Sequence, residues 1–485
     1  MNTDLLLVLD FGGNTAYYTA RRLRGEQFYC ELAASDTPIE EILRRKPKGI
    51  LLVGGETDAD IPAFDPDAFS VPLLALGGAS RILASAIGAE NKGTKLKQSM
   101  DCAQFNACDL FSGLNQCDRF FERLDEFVFP ENYLSLATTQ NGFTPAFGNP
   151  EKKIYGVQFN VETNDPEGLQ ILENFAEGVC GCERSWTVGN YAPKLIESIR
   201  AEIGDRSLLL PISSGPESAV TAGLLQRAVG SQLTCLFINT GLMRKGEPEL
   251  VRRCYYEQMR LNLTEIDASD RFMKALQGVV NSEEKRRIMH DEYAAIFAEQ
   301  YVKSGNAECM ADSVTYSDIL KKHAHPIPNV IEGCASIEPL RLLLKDDVRS
   351  LGRWLNIPEE LINQPAFDFC GLGVRCLGEV THERLDMLRT ADAIFRQEVE
   401  RVGLSHKIAQ YFAILTDIRT PGQRGLGYVC ALRALGSSNE GRAAAYKLPY
   451  DLMEAAVQRI TGEVPGITHV VYDITGRPIA AVEWE

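Results

Sequence analysis

The sequence predicts an α/β protein with two domains built on largely parallel sheets, followed by a smaller α+β domain. Near-continuous runs of Val, Ile and Leu alternate with helical periodicity through most of the chain, which is typical of parallel strands covered on both faces. From residue 377 onward, a helix precedes a group of strands. The length of 485 residues accommodates two to four domains of about 100–200 residues each.

The first domain is expected over roughly residues 1–183. Its strand-like apolar runs lie within 4–13, 49–56, 71–90 and 154–163. The first three contain a pair of glycines after the apolar run, and a Gly pair by itself marks a tight turn more often than a ligand site. We therefore expect a mostly parallel sheet whose turns require further evidence before any of them is taken as functional.

A second α/β series follows a predicted linker at 182–193. Its apolar strands are expected within 207–218, 233–241 and 307–318, and its main helices within 219–230 and 285–305. The α+β part begins with a helix at 377–403. Half-buried strands are expected to follow it at 411–420, 427–435 and 468–485.

The net charge of −16 argues against a nucleic-acid partner, because an acidic surface repels a phosphate backbone. No segment approaches the roughly 20 apolar residues of a membrane span, so we expect no membrane association. The thirteen cysteines are scattered without paired spacing, which indicates reduced thiols and a cytoplasmic location. We expect no metal site built on Cys or His.

The six histidines all lie beyond residue 289, the first of them being His290. The first domain therefore contains no imidazole of its own. A Cys-His or Ser-His pair, in which the imidazole removes the proton of the nucleophile, cannot be built from that domain alone.

The stretch "LLLPISSGPESAV" (208–220) predicts a buried strand, a turn of small residues and a helix. Helix N-termini bind phosphate through unpaired amides and the positive end of the helix dipole. However, Pro216 removes one amide donor and Glu217 adds a carboxylate. Ser214 to Glu217 also match an S-x-x-E capping box with proline in the first turn. Residue chemistry alone favours this self-capped helix over a nucleotide site, and both interpretations stay open.

Six long stretches occur in one order: "LVLDFGGNTAYYTARRLR", "IYGVQFNVET", "GSQLTCLFINTGLMRKGE", "EPLRLLLKDDVRSLGRWLNIPEE", "GLGVRCLGEVTHERLDMLRTADAIF" and "EVPGITHVVYDITGRPIAAVEWE". On these stretches the chain resembles the glutamine-hydrolysing GMP synthetases along nearly its whole length. The resemblance implies a class I glutamine amidotransferase-like domain at 1–183 and an ATP pyrophosphatase (adenine nucleotide alpha hydrolase-like) domain at 188–368. It also implies a small α+β dimerisation domain at 369–485.

In that family, a Cys-His-Glu triad releases ammonia from glutamine, and the ammonia displaces AMP from adenylated xanthosine monophosphate. The chain departs from the triad motifs. The turn "LLALGGASRIL" has Gly77 at the position of the cysteine, and "GVQFNVE" has Asn160 at that of the histidine, so that only Glu162 matches. Loss of any one member of such a unit costs several orders of magnitude in rate. We therefore predict an inactive glutaminase.

The resemblance also implies nucleotide-binding and acceptor-binding residues. The family's SGGVDS loop corresponds to "SSGPES", and Asp318 is also the one candidate for a Mg²⁺ ligand. The nucleotide-binding candidates are Ser213, Ser214, Gly215, Glu217, Ser218, Asn239, Thr240, Gly241, Arg244 and Asp318. The acceptor-nucleotide candidates are Phe367, Gly371, Arg477 and Glu483.

Three functional hypotheses follow. The one we favour is a catalytically inactive or strongly impaired GMP synthetase-like protein with a binding or regulatory role. The second is an ammonia-dependent ligase that uses ATP and Mg²⁺ on xanthosine monophosphate or a related acceptor. A working glutamine-dependent GMP synthetase is the third, and Gly77 and Asn160 argue against it. In each case we expect a homodimer through residues ~370–485 and a purine nucleotide as the ligand.

Overall fold

The fold is described from a computed structural model. It covers residues 4–13, 15–55, 65–161, 165–303, 305, 307–320, 334–365, 367, 369–422, 425–437, 443–476 and 484. The chain divides into two compact units, Met1–Tyr191 and Ala192–Glu485. The boundaries of the three predicted domains stay a prediction.

A nine-stranded sheet forms the centre of the first unit. Its strands are β1 Leu6–Phe11, β2 Cys30–Ala34, β3 Gly49–Gly54, β4 Leu73–Leu76, β5 Glu90–Phe105, β6 Gln116–Val128, β7 Leu134–Thr139, β8 Ala146–Asn149 and β9 Ile154–Val157. They lie in the order β2-β1-β3-β4-β9-β8-β7-β5-β6. The pairs from β2 to β9 are parallel, and those from β9 to β6 are antiparallel.

The predicted parallel arrangement holds for only half of this sheet. The apolar runs of β1, β3, β4 and β9 are almost wholly buried, as expected for strands covered on both faces. Strands β5 and β6 are long, polar and largely exposed along their outer parts. Their sequence carries no continuous apolar run, so the pattern that predicts buried strands does not detect them.

The helices of the first unit are α1 Thr15–Gly25, α2 Ile39–Arg44, α3 Ala79–Ala86 and α4 Pro166–Glu173. Helix α5, Val188–Ile203, begins inside the segment predicted to be a linker. That segment is packed rather than extended: the Trp186 ring is buried and lies 5.1 Å from the ring of Tyr29. Tyr191 lies 4.8 Å from the same indole. Trp186 and Tyr191 of the predicted linker therefore pack within the first unit.

The second unit contains a five-stranded parallel sheet. Its strands are β10 Leu208–Ile212, β11 Leu233–Asn239, β12 Leu263–Asp267, β13 Cys309–Ala311 and β14 Ala335–Ile337. They lie in the order β12-β11-β10-β13-β14. The strand order reverses between β10 and β13, and open α/β sheets bind ligands beyond the carboxyl ends of strands at such a reversal.

A four-stranded sheet completes the second unit. It consists of β15 Gln410–Gly422, β16 Gly425–Ser437, β17 Ala443–Ala445 and β18 Ile467–Asp473. β16 pairs antiparallel with β15 and β17 and parallel with β18. The remaining helices are α6 Pro216–Val229, α7 Glu247–Val251, α8 Ser269–Ala275, α9 Ser282–Lys303, α10 Tyr316–Leu320, α11 Lys345–Trp354, α12 Glu359–Ile362, α13 His382–Arg401 and α14 Tyr450–Glu463.

One hydrophobic core runs through the second unit. It joins residues of the parallel sheet, such as Leu236, to residues of α13, such as Phe395, and of β16, such as Leu432. Among the described residues, no helix combines the length and apolarity needed to cross a membrane.

Candidate functional site

The position that matches the family's nucleophile lies in the tight turn between β4 and α3. Gly77 has a φ of +56°, a left-handed conformation that favours glycine. Its amide donates to the Val157 carbonyl at 2.9 Å, and its carbonyl accepts from the Ser80 hydroxyl at 2.7 Å. The turn therefore has the strand–turn–helix geometry that presents a nucleophile, although the residue has no side chain.

Asn160 lies directly in front of this turn. A Cβ atom built on Gly77 would lie 2.1 Å from Asn160 Oδ1. The structure thus brings together two of the three residues predicted at this site, while Glu162 lies outside the described residues. An amide has no basic nitrogen, so this pair contains neither a nucleophile nor a general base.

Two arginines that the sequence did not single out hold the segment that follows Asn160. Arg22 donates to the carbonyls of Val161 and Asp165, the latter at 2.6 Å. Arg119 donates to Asp165 Oδ1 at 2.7 Å. These partners are separated by 46 to 143 residues in sequence, so no local pattern could have predicted their contact.

The turn after β10 is closed by its own serines. Ser218 Oγ accepts from the Ser213 amide at 2.9 Å, and Ser213 Oγ accepts from the Gly215 amide at 3.2 Å. Tyr255, a fully buried residue that the sequence did not indicate, donates from its hydroxyl to the Ser213 carbonyl at 2.7 Å. Burial raises the pKa of Tyr255 well above its usual range, so this hydroxyl remains a donor at neutral pH.

The predicted capping box is wrong. Helix α6 has Gly215 as its N-cap and Pro216 in its first turn, with no side-chain cap hydrogen bond. The Ser214 hydroxyl donates instead to Glu247 Oε1, and Glu217 pairs with the Lys345 ammonium at 3.7 Å. Both predicted capping side chains are therefore satisfied by residues distant in sequence: Ser214 by a buried carboxylate and Glu217 by a cation.

Asp318 serves as a local cap at the carboxyl end of the neighbouring strand β13. Its Oδ2 accepts from the amide of Thr315 at 3.0 Å and from the Thr315 hydroxyl at 2.6 Å, at the start of α10. Because β13 is the parallel neighbour of β10, this carboxylate lies at the same edge of the sheet as the Ser213–Ser218 turn.

The loop after β11 is the third part of this edge. Asn239 Oδ1 accepts from the Gly241 amide at 3.0 Å, and Thr240 Oγ1 accepts from the Leu242 amide at 3.2 Å. Gly241 has a φ of +74°, and a Cβ atom on it would lie 2.6 Å from Ser269 Cβ. The glycine is therefore required here both by the backbone conformation and by the close approach of Ser269.

Arg244 lies near the end of this loop, and its side chain is buried. Its guanidinium carbon lies 3.9 Å from the centre of the Phe367 ring, and its Nε lies 3.9 Å from Asp392 Oδ2. Burial lowers the pKa of Arg244 to about 10, and the Asp392 carboxylate opposes this shift. The guanidinium is thus still charged at neutral pH while only 4% of the residue is exposed.

The acceptor candidates that the structure describes pack on the same loop. Gly371 has a φ of +59°, and a Cβ atom on it would lie 2.4 Å from the Leu242 carbonyl oxygen. The neighbouring Leu372 amide donates to that carbonyl at 2.8 Å. Phe367 and Gly371 therefore meet the nucleotide candidates, whereas Arg477 and Glu483 lie outside the described residues.

Comparison with known proteins extends this picture to the whole chain. Residues 397–484 match the family model for the GMP synthase C terminal domain. The chain is 37% identical over 511 residues to the glutamine-hydrolyzing GMP synthase of Caldicellulosiruptor saccharolyticus, with 100% of both chains covered. Its identity to the corresponding protein of Acetivibrio thermocellus is 36%, again with 100% of both covered. The chain belongs to the GMP synthase family.

A crystal structure of a glutamine amidotransferase from Thermotoga maritima is also similar to part of the chain. Its identity is 15% and its TM-score 0.27, and the similarity covers 38% of this chain and 96% of that one.

GMP synthases use ATP and Mg²⁺, and the residues present can be tested against both. Three features suit a phosphate group: the N-terminal end of α6, the hydroxyls of Ser213 and Ser218, and the glycine at its cap. A Mg²⁺ ion prefers carboxylate and phosphate oxygens. The carboxylate of Asp318 is bonded to Thr315, whereas that of Glu217 pairs with the Lys345 ammonium.

Bound ATP would supply the adenylyl group, and these residues could hold its phosphates. Within the described ranges, no cluster of three or more His, Cys, Asp or Glu side chains could hold a metal ion by itself. A Mg²⁺ ion would therefore depend on the phosphates for most of its oxygen ligands, as it commonly does in phosphate-transferring sites.

Proposed function

We propose that this member of the GMP synthase family does not hydrolyse glutamine and acts mainly by binding a purine nucleotide, with little or no turnover. The observation that carries the proposal is that Asn160 Oδ1 occupies the space in front of Gly77 where a side chain at position 77 would begin. A site without nucleophile and base cannot form the covalent intermediate that splits the amide bond.

The first experiment measures glutamate release from glutamine by the purified protein. We expect no release above the rate of a heat-inactivated control. Release at a rate typical of amidotransferases would overturn this part of the proposal. Measuring glutamate directly keeps the result independent of any activity in the second unit.

Nucleotide binding is supported by the Ser213–Ser218 turn at the reversal point of the parallel sheet. Its glycine cap, its hydroxyls and the first turn of α6 have the chemistry of an anion site. The carboxylate of Glu217, which would repel a phosphate, is partly neutralised by Lys345 at 3.7 Å. The binding role therefore tolerates the glutamate that the sequence placed in the turn.

Isothermal titration calorimetry with ATP, AMP, xanthosine monophosphate and GMP, with and without Mg²⁺, tests this role. We expect at least one of them to bind, and Ser218→Ala to weaken its binding. Thr461→Ala, a substitution of a hydroxyl that bonds only within helix α14, serves as the control. A flat titration with all four nucleotides would contradict the proposal and favour a role in protein interaction.

A second candidate is an ammonia-dependent ligase, and the pairing of Glu217 with Lys345 favours it. That pairing partly neutralises the carboxylate in the first turn of α6, next to Ser213 and Ser218 and at the same sheet edge as Asp318. Exchange between ATP and pyrophosphate in the presence of xanthosine monophosphate, abolished by Ser218→Ala, would establish this candidate. We expect little or no exchange.

We also propose a homodimer through residues ~370–485. Large apolar side chains are exposed on three strands of the second sheet of this unit: Ile418, Leu426 and Val471 are 57%, 64% and 45% exposed. A subunit contact at this sheet would bury apolar side chains of this kind. A cytoplasmic location remains a prediction from the cysteine content.

A further inference from the structure

One buried carboxylate joins the two loops at the proposed nucleotide site. Glu247 is 8% exposed and Ser214 is 6% exposed. Glu247 Oε1 accepts from the Ser214 hydroxyl, and Oε2 accepts from the Arg244 amide at 2.8 Å. The Glu247 amide in turn donates to the Arg244 carbonyl at 3.3 Å. The side chain therefore closes its own loop and holds the neighbouring one.

The sheet itself does not fix these loops relative to each other. The register of β10 with β11 ends at Ile212 and Phe237, and both loops lie past these last paired residues. The bond between Ser214 and Glu247 crosses this gap between residues 33 positions apart in sequence. A buried hydrogen bond to a carboxylate belongs to the stronger class of such bonds.

We propose that Ser214 and Glu247 form a strap, the 214–247 strap, which holds the Ser213–Ser218 turn and the Asn239–Gly246 loop in one arrangement before a nucleotide binds. Both are positioning residues. Ser214 is the residue that a phosphate-binding turn would be expected to lack, because its side chain occupies space next to the backbone. Its hydroxyl is instead directed to Glu247, so the side chain pre-organises the turn. Pre-organisation improves affinity by reducing the ordering that binding requires.

The strap can be tested in the free protein by hydrogen–deuterium exchange. Ser214→Ala removes the bond and leaves Glu247 with a buried, unsatisfied oxygen. We expect exchange at the amides of both 213–218 and 240–247 to rise about tenfold. Ser80→Ala is the matched control. Ser80 is also buried, and its hydroxyl donates to the Gly77 carbonyl, both residues being in the first unit. This substitution is expected to leave both loops unchanged.

The conservative variant separates positioning from mere stability. Glu247→Gln keeps an oxygen acceptor for the Arg244 amide and introduces an NH₂ group, which can donate to Ser214 Oγ in place of the bond that Ser214 donates in the wild type. We expect Glu247→Gln to restore protection of both loops to within about threefold of the wild type. Glu247→Ala is expected to raise exchange at least as much as Ser214→Ala, because it also removes the acceptor of the Arg244 amide. The double variant Ser214→Ala/Glu247→Ala should be no worse than Glu247→Ala alone.

The effect on affinity rests on the proposed function, whereas the exchange measurements do not. If ATP binds, we expect Ser214→Ala to weaken its Kd about five- to tenfold, with Glu247→Gln close to the wild type. If the wild type binds no nucleotide, the proposed function fails and the exchange data still decide the strap. The strap is overturned if Ser214→Ala leaves exchange unchanged, or raises it in the 213–218 turn alone.

Discussion

At the scale of single residues, the two most informative positions are Gly77 and Arg244. Gly77 sits in a left-handed turn with Asn160 filling the space in front of it. Arg244 was expected to face a nucleotide, but its guanidinium is buried between Phe367 and Asp392. Gly77 has no side-chain atom that could act as a nucleophile, and the charge of Arg244 is engaged in the core.

Restoring a thiol at position 77 should not restore glutamine hydrolysis. In Gly77→Cys, the new side chain must displace Asn160, and the first unit contains no imidazole that could remove the proton of the thiol. We expect glutamate release to stay at background and stability to fall by about 1 kcal/mol, because a side chain is disfavoured at a positive φ. Glutamate release and urea unfolding measure the two effects, and release by the single variant would show that another residue acts as the base.

The buried charge of Arg244 should make Asp392 important for stability. Asp392 Oδ2 lies 3.9 Å from Arg244 Nε, and its Oδ1 accepts from the Ala413 amide at 3.0 Å. Asp392→Asn keeps an oxygen acceptor and removes the charge, so we expect a loss of roughly 3 kcal/mol in the free energy of unfolding. Chemical denaturation is the measurement.

Glu463→Gln is the matched control for that experiment. It breaks the exposed ion pair on helix α14 between Glu463 Oε1 and Arg459 Nε, which lie 2.9 Å apart. Exposed pairs contribute little to stability, so its unfolding curve should overlay that of the wild type. Equal effects of the two substitutions would contradict a special role for Asp392.

At the scale of elements, the outer half of the first sheet shows how polar strands are held. Asp125 in β6 is fully buried and accepts from the Thr94 hydroxyl at 2.7 Å and from Arg123 at 2.8 Å. Burial acts to raise the pKa of Asp125, but these hydrogen bonds outweigh it and hold the pKa below its usual range. The strands β5 and β6 are thus joined by a buried polar cluster as well as by their ladder.

This lowered pKa predicts a pH dependence with a definite sign. A carboxyl group whose pKa is lower in the folded state stabilises the protein above its unfolded pKa of about 3.9, and this stabilisation is lost as the pH falls through the folded pKa. Asp125→Asn should therefore cost about 1–3 kcal/mol at pH 7. The difference from the wild type should shrink below pH 4. Urea unfolding between pH 7 and pH 3 measures it, and a difference that grows in acid would contradict the assignment.

At the scale of the whole molecule, the second unit is the part for which we expect self-association. Its exposed Leu426 and Ile418 lie on β16 and β15. Leu426→Asp should shift the molar mass measured by light scattering from dimer to monomer at micromolar concentration. Leu134→Asp is the control, because Leu134 is similarly exposed, at 55%, on the first unit. A wild-type protein that is already monomeric would contradict the predicted dimer.

The sequence predicted the apolar strands well because a strand buried on both faces must be apolar at nearly every position. This holds for β1, β3, β4, β10 and β11. The apolar pattern did not predict β5 and β6. These strands are held by their pairing in the sheet and by the polar cluster around Asp125. The pattern also misjudged β15, which was expected to be half-buried. Residues from Tyr411 to Thr416 are buried on both faces, with separate clusters around Ala413 and Ile414.

The sequence by itself determined the family, the apolar strands that are buried on both faces, and the absence of a thiol at position 77 and of histidine from the first unit. These follow from residue identity, since a glycine cannot be a nucleophile and a unit without histidine has no imidazole. Only the tertiary structure decided which partners the side chains of the turn "SSGPES" have. The local pattern predicted that Ser214 and Glu217 cap their own helix. In the structure, Ser214 bonds to Glu247 and Glu217 pairs with Lys345, and both partners are distant in sequence. Contacts between residues that follow different strands depend on the sheet that brings their loops together, and no local pattern contains them.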